Sequence, residues 1–253
     1  MDQTLRPARR QRRTISRSIR LLRGFLREQV DPDTFYEMLS QDAVGFLAEN
    51  VRLEGSLAVD VGGGAGYLTN ALRRAGASCF LCDLDVAELS WRGKPLDGSL
   101  LGDAQHLPFS TGSIDIAVAS NMLEHVPEPF EVIDEMARTL RPEGYLWLSF
   151  TNWYSPWGGH ETSPWHYLGG DRARRRYEAR AGHPPKNRFG ESLFAVHIAP
   201  VLRHLKNQAL LELVNVRPRY LPDFSRAVVR VPLLREVVTW NLEVLARRRH
   251  DGA

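Results

Sequence analysis

Between positions 60 and 66 the chain reads Asp60-Val-Gly62-Gly63-Gly64-Ala-Gly66, an acid followed by glycines at every second position. Glycines in a strand-to-helix turn let backbone pass close to a nucleotide-like ligand at a helix N-terminus. The apolar run 56–59 supplies the strand and residues 68–74 the helix. A dinucleotide fingerprint, G-x-G-x-x-G, is not met. Counted from Gly62 its third glycine would fall on Tyr67, and counted from Gly64 on Thr69. A second apolar run, 77–82, ends at Asp83, 21 residues after Gly62, near the distance at which an acid accepts ribose hydroxyls. Four further side chains could take a proton: His125, His160, Glu161 and His166. Imidazole and carboxylate act as general bases when held at the reacting atom. His160, between Gly159 and Glu161 in a stretch rich in aromatic residues, is the expected base.

The Asp60–Gly66 spacing resembles motif I of the class I S-adenosylmethionine-dependent methyltransferases. The resemblance continues with Asp83 and then Gly102-Asp103-Ala104. It extends to the run 114–119 followed by Ser120-Asn121-Met122-Leu123-Glu124-His125-Val126, and to Arg141-Pro142-Glu143-Gly144 before the run 145–150. It covers residues 55–150, with the motifs in order. What it implies is S-adenosyl-L-methionine as cofactor. The implied binding residues are Asp60, Gly62, Gly63, Gly64, Gly66, Tyr67, Asp83, Leu84, Asp103, Ala104 and Asn121, with Asp83 on the ribose and Asp103 at the adenine. It further implies N-terminal helices that cover the cofactor, with Tyr36 as the lid residue. Gly158-Gly159-His160-Glu161, His166-Tyr167-Leu168-Gly169-Gly170 and Pro185-Lys186-Asn187-Arg188-Phe189-Gly190 resemble an actinobacterial subgroup of these type 11-like enzymes.

These residues need a frame to hold them. The chain has 253 residues, 43% hydrophobic and 25% charged, which suits a globular domain with a sizeable core. Strands and helices alternate over 55–150, which predicts an α/β fold with a doubly wound, seven-stranded, mostly parallel sheet. Strand six is expected over 210–216 and strand seven over 239–246. Basic N-terminal and capping helices occupy 1–50, and the methyltransferase domain occupies 51–253. Insertions are expected at about 152–208, after strand five, and at 218–238. Long connections at the ligand edge choose the substrate. The first is rich in aromatic residues and glycine, which favours a small-molecule, glycan or lipid-linked acceptor, methylated at oxygen. Cys79 and Cys82 lie three apart on one strand and so point to opposite faces, which predicts buried thiols and not a zinc or redox pair. No ligand spacing such as H-E-x-x-H occurs, so no metal is expected.

Charge is uneven. Residues 1–27 carry nine arginines against Asp2 alone. Residues 1–12 are expected to be unstructured. Ile15, Ile19, Leu22 and Leu26 fall on one helical face. That face is expected to pack on the domain with the arginines in water, although a basic amphipathic helix can also lie on an anionic membrane. The apolar, arginine-dotted stretch 221–238 could act with it. With no apolar leader and no run near the ~20 residues of a membrane span, the expected location is the cytoplasm, with peripheral contact at the inner membrane face. Basic ends leave an RNA or protein substrate open, and a non-catalytic S-adenosylmethionine-binding module is a further alternative. Nucleic acid is disfavoured, because Ser120-Asn121-Met122-Leu123 stands where amino-methylating enzymes carry an N-P-P-Y-type tetrad.

Overall fold

The computed structural model describes residues 13–28 and 30–250; the expectation for 1–12 lies outside them. Five parallel strands form most of one sheet: β1 (Leu57–Val61), β2 (Ser78–Asp83), β3 (Ser99–Leu101), β4 (Ile114–Ser120) and β5 (Leu140–Thr151). Two more, β6 (Leu211–Pro218) and β7 (Asn241–Arg248), complete it. The order is β3-β2-β1-β4-β5-β7-β6, with β7 antiparallel to both neighbours. Strand order reverses between β1 and β4, so the carboxyl ends of β1, β2 and β4 open onto one crevice, where ligands of such sheets bind. β3 has only three residues, too few to show a period in sequence.

Helices cover both faces. On one, α2 (Pro32–Asn50) and α3 (Tyr67–Arg74) bury Ala43, Phe46, Leu47, Leu68 and Leu72. On the other, α5 (Pro129–Thr139) and α7 (Ile198–Asn207) bury Val132, Ile133, Met136, Val201 and Leu205. Each such side chain contributes about 1.5–3 kcal/mol by leaving water. Cys79 joins the first cluster and Cys82 the second, as their spacing predicts. The remaining helices are α1 (Ile15–Phe25), α4 (Val86–Leu89), α6 (Gly170–Ala181) and α8 (Leu234–Val238). Local chemistry sets their ends. The Asp31 carboxylate accepts the Thr34 N–H at 3.2 Å, and Pro32 opens α2.

The packing of α1 reverses the expectation. Leu21 is buried against Phe35 and Leu39, but Ile15, Ile19, Leu22 and Leu26 are exposed. Arginines face inward instead. Arg13 pairs with Glu243 at 2.8 Å, and Arg17 grips Asp42 with two nitrogens. The reason is electrostatic. Glu243 is fully buried and a lone buried carboxylate costs several kcal/mol, more than an exposed aliphatic side chain does. Gly24 lets α1 approach α2, since a Cβ there would meet the Met38 side chain at 2.3 Å.

Candidate active site

The glycine loop leaves β1 at Val61 and turns back under the end of β2. The Gly62 N–H donates to the Cys82 carbonyl at 2.8 Å. Gly62 has φ +67°, and a Cβ there would lie 2.3 Å from Met122. Gly63 sits over Asp60, where a Cβ would come within 2.8 Å of Oδ2. Gly66 precedes α3 with φ +77° and no side-chain cap, so it supplies no side chain to bond the first N–H groups of α3.

Asp60 is buried. Its Oδ2 accepts the Thr69 hydroxyl at 2.7 Å, while Oδ1 has no partner. Burial pushes its carboxyl up to about 7, against the Thr69 hydrogen bond and helped by Asp83. Asp83 ends β2, with Oδ2 accepting the Gly64 N–H and Oδ1 the Asp85 N–H, each at 2.9 Å. Leu84 beside it is 70% exposed, an apolar surface at the crevice. Asp83 pairs with Leu101 across β2 and β3, which puts Asp103 and Ala104 next to it. Asp103 Oδ1 accepts the Gln105 N–H at 2.9 Å. Tyr67 is stacked on Tyr36 at 5.5 Å, and its hydroxyl bonds Asp33. Tyr36 therefore lies against the first residue of α3, with its own hydroxyl donating to Glu28 at 2.5 Å.

Asn121 follows β4 with φ +53°. Its side-chain oxygen accepts from Asn241 at 2.9 Å and from Arg219 at 3.2 Å. Arg219 is fully buried over the Trp147 ring and also donates to Ser120 and Ser149. Sequence reading missed this guanidinium, because an arginine two residues beyond Arg217 carries the signal of a surface charge.

Beyond β4 the fold assembles a group that spacing did not reveal. Donor atoms of Glu124, His125 and His160 lie within 4.8 Å of one another. Glu124 Oε1 accepts the Thr151 N–H at 2.9 Å, whereas Oε2 is buried with no partner. His125 Nδ1 bonds the Ser192 carbonyl at 2.8 Å, so Nδ1 carries the proton and Nε2 is the free acceptor. The His160 ring meets that of His125 edge-on at 5.1 Å, its Nε2 buried and unpartnered, on backbone at φ +48°. Burial first, then His125, His166 and Lys186, hold the His160 imidazole down at about 3. Two imidazoles and a carboxylate could share a cation, and could equally move a proton. Glu161 is outside the group: its carboxylate accepts from the Asn187 side chain at 2.9 Å. His166 is buried against Trp153, bonded to the Ser155 carbonyl at 3.1 Å.

Residues 59–148 match the family model described as a methyltransferase domain. A relative from Mycobacteroides abscessus, named an uncharacterized methyltransferase, is 40% identical over 252 residues, covering 94% of this chain and 96% of the relative. One of the same name from Mycobacterium tuberculosis is 39% identical over 241 residues, covering 91% and 94%. The chain belongs to this methyltransferase family. The solved S-adenosylmethionine dependent methyltransferase of Mesorhizobium loti shares the fold, with a TM-score of 0.56 at 19% identity over 82% of this chain and 98% of that one.

The methyltransferase takes S-adenosylmethionine as cofactor, and the residues present fit it. The loop at 62–66 keeps its cradle free of Cβ atoms at Gly62 and Gly63. Asp60 Oδ1 is a buried acceptor without a donor, suited to an ammonium. Asp83, Leu84 and Asp103 follow on adjacent strand ends, offering acceptors for hydroxyls and an apolar face for a base.

Proposed function

We propose that this methyltransferase moves a methyl group onto an oxygen of a small-molecule, glycan or lipid-linked acceptor, and that His125 takes the acceptor's proton. The observation that supports this most is the Glu124–His125–His160 group at the carboxyl ends of β4 and β5, with two buried polar atoms left unmet. S-adenosylmethionine supplies a methyl already activated on a sulfonium. A hydroxyl acceptor must shed its proton, and a positioned base contributes roughly 10²–10⁴-fold to that step. Burial holds the His160 imidazole down and leaves its Nε2 without a partner, which favours His125 over it as the base. His125 has the anchoring a base needs: Nδ1 donates to the Ser192 carbonyl, which fixes the neutral tautomer and leaves Nε2 as the acceptor. Glu124 Oε2 stands by to stabilise the imidazolium, and the neutral His160 ring fixes its orientation. Glu161 acts as a positioning residue that ties the loop around 187 to the loop bearing His160. Tyr154, Trp165 and Tyr167 are part-exposed in that same segment, each packed on one neighbour, His197, Arg176 and His166, and a sugar or aromatic acceptor could stack on what is left open. A lipid-linked acceptor would be met at the cytoplasmic face of a membrane by a peripheral protein.

The class of acceptor is tested by incubating the enzyme and methyl-labelled cofactor with cell extract, then separating organic-extractable, small-molecule, protein and RNA fractions. Label is expected in the first two, with or without a chelator of divalent ions. Label confined to RNA or protein would contradict the reading.

A further inference from the structure

The methyltransferase has an exposed apolar surface that its fold leaves uncovered. On α1 Ile19 and Leu22 face solvent, and so does Leu26 just past its end, at 67% exposure. In the connection between β6 and β7, Phe224, Leu233 and Val237 do the same, Phe224 at 78% and Leu233 at 85%. These are two stretches of chain some two hundred residues apart, yet they meet at the start of α1 and are bridged by Trp157 at its end. At its start, the Asp223 N–H donates to the Arg13 carbonyl at 3.0 Å, and the Arg13 N–H to the Asp223 carboxylate at 2.9 Å. At its end, Phe25 touches Trp157 at 5.0 Å, and Trp157 touches Trp240 at 4.8 Å, just past α8. α1 is therefore tied to residues 223–240 directly at Arg13–Asp223 and through Trp157 at its far end.

Within these two stretches the exposed charge is mostly basic. No acid occurs within Ile15–Phe25, and none from 224 to 235. Arg23 and Arg230 are exposed within these stretches, whereas Arg20 lines a cleft with Asp42 and Glu49. An exposed apolar patch of this kind marks an interaction site. A second copy of the chain is a poor occupant, because a two-fold interface sets each patch against itself and so arginine against arginine. A surface that is both apolar beneath and anionic above matches it better.

We infer that this face docks the enzyme on an anionic lipid bilayer, with the aliphatic side chains inserted at the headgroup boundary and the arginines on the phosphates. Trp157, wedged between α1 and Trp240, lies three residues before His160 in the same loop. Docking thus sets the loop that carries His160 against the membrane, and the acceptor it would reach is a hydroxyl on a lipid-anchored molecule. That identification of acceptor rests on the methyl-transfer reading above, whereas the docking surface does not.

Vesicle sedimentation of the full chain, without cofactor or acceptor, tests the surface alone. Wild-type protein is expected to sediment with phosphatidylglycerol-rich vesicles at low salt, to be released by salt, and to ignore pure phosphatidylcholine. Leu22→Ser with Leu26→Ser, and separately Leu233→Ser, should each weaken that binding by roughly tenfold or more. All three side chains face solvent, so the variants should keep wild-type circular dichroism and cofactor affinity. Wild-type protein that stays in the supernatant at low salt overturns the inference. So do variants that sediment as the parent does, or a dimer that the same substitutions dissociate and that does not bind vesicles. Methyl transfer to a soluble acceptor can survive any of these outcomes, so the two readings fail separately.

Discussion

At Asp83 both carboxylate oxygens already accept a backbone N–H, from Gly64 and Asp85, which holds the group at the crevice with lone pairs to spare. Asp83→Ala should weaken S-adenosylhomocysteine binding by about 1.5–3 kcal/mol, the cost of losing hydrogen bonds to a charged group. Calorimetry that shows undiminished affinity, or tight binding of NAD by the parent, would remove Asp83 and the glycine loop from the cofactor site. Residues such as Asp60, Gly62 and Asp83 are legible in sequence because their roles are set by neighbours within one strand–turn–helix. Glu124 is not, since its partners, Thr151 and His160, come from another strand and another loop. Arg219 was invisible for the same reason, its acceptors lying near positions 120 and 149.

Elements were read well where a period exists. The strand and helix alternation over 55–150 stands where pattern puts it, and the last two strands fall within two residues of the expected 210–216 and 239–246. The orientation of α1 did not follow from its period, because two acids on other elements, Asp42 and Glu243, determine which side faces in. The stretch after β5 shows no period, and what it forms is a set of 3-10 turns at His160–Thr162 and Trp165–Leu168 with α6 behind them. Glu161 gives a prediction at this scale. If it pins the loop through Asn187, Glu161→Gln keeps a hydrogen-bonding side chain and near-parental turnover. Glu161→Ala should then loosen that loop, read as faster proteolysis near residue 187. Loss of turnover in Glu161→Gln with the loop still protected would instead make its carboxylate a proton carrier.

The whole molecule is tied together at Glu243, where the N-terminal segment meets the last strand. Its carboxylate receives Arg13, the Arg217 guanidinium at 2.6 Å and the Trp147 indole N–H at 3.2 Å. Burial alone would push this carboxyl up, but Arg13, Arg217 and Arg219 outweigh burial and hold it down at about 2. A depressed carboxyl stabilises the fold above its unfolded value and loses that contribution as it is protonated. The stability from Glu243 is therefore complete above pH 4.5 and drains away as pH falls toward about 2. Glu243→Gln leaves buried Arg217 without its counter-charge and Arg13 with Asp42 alone at 3.6 Å, and should cost about 3–5 kcal/mol in denaturant unfolding at neutral pH. An unchanged midpoint would show that the cluster adds nothing to stability.

The proton step is tested most directly by the single-turnover rate of methyl transfer to a hydroxyl acceptor, measured in parent and His125→Ala with bound cofactor saturating. The predicted result is a fall of roughly 10²–10⁴-fold with S-adenosylmethionine affinity nearly unchanged. Parental turnover in His125→Ala would contradict the account, and would return the search for the base to His160 and the residues around it.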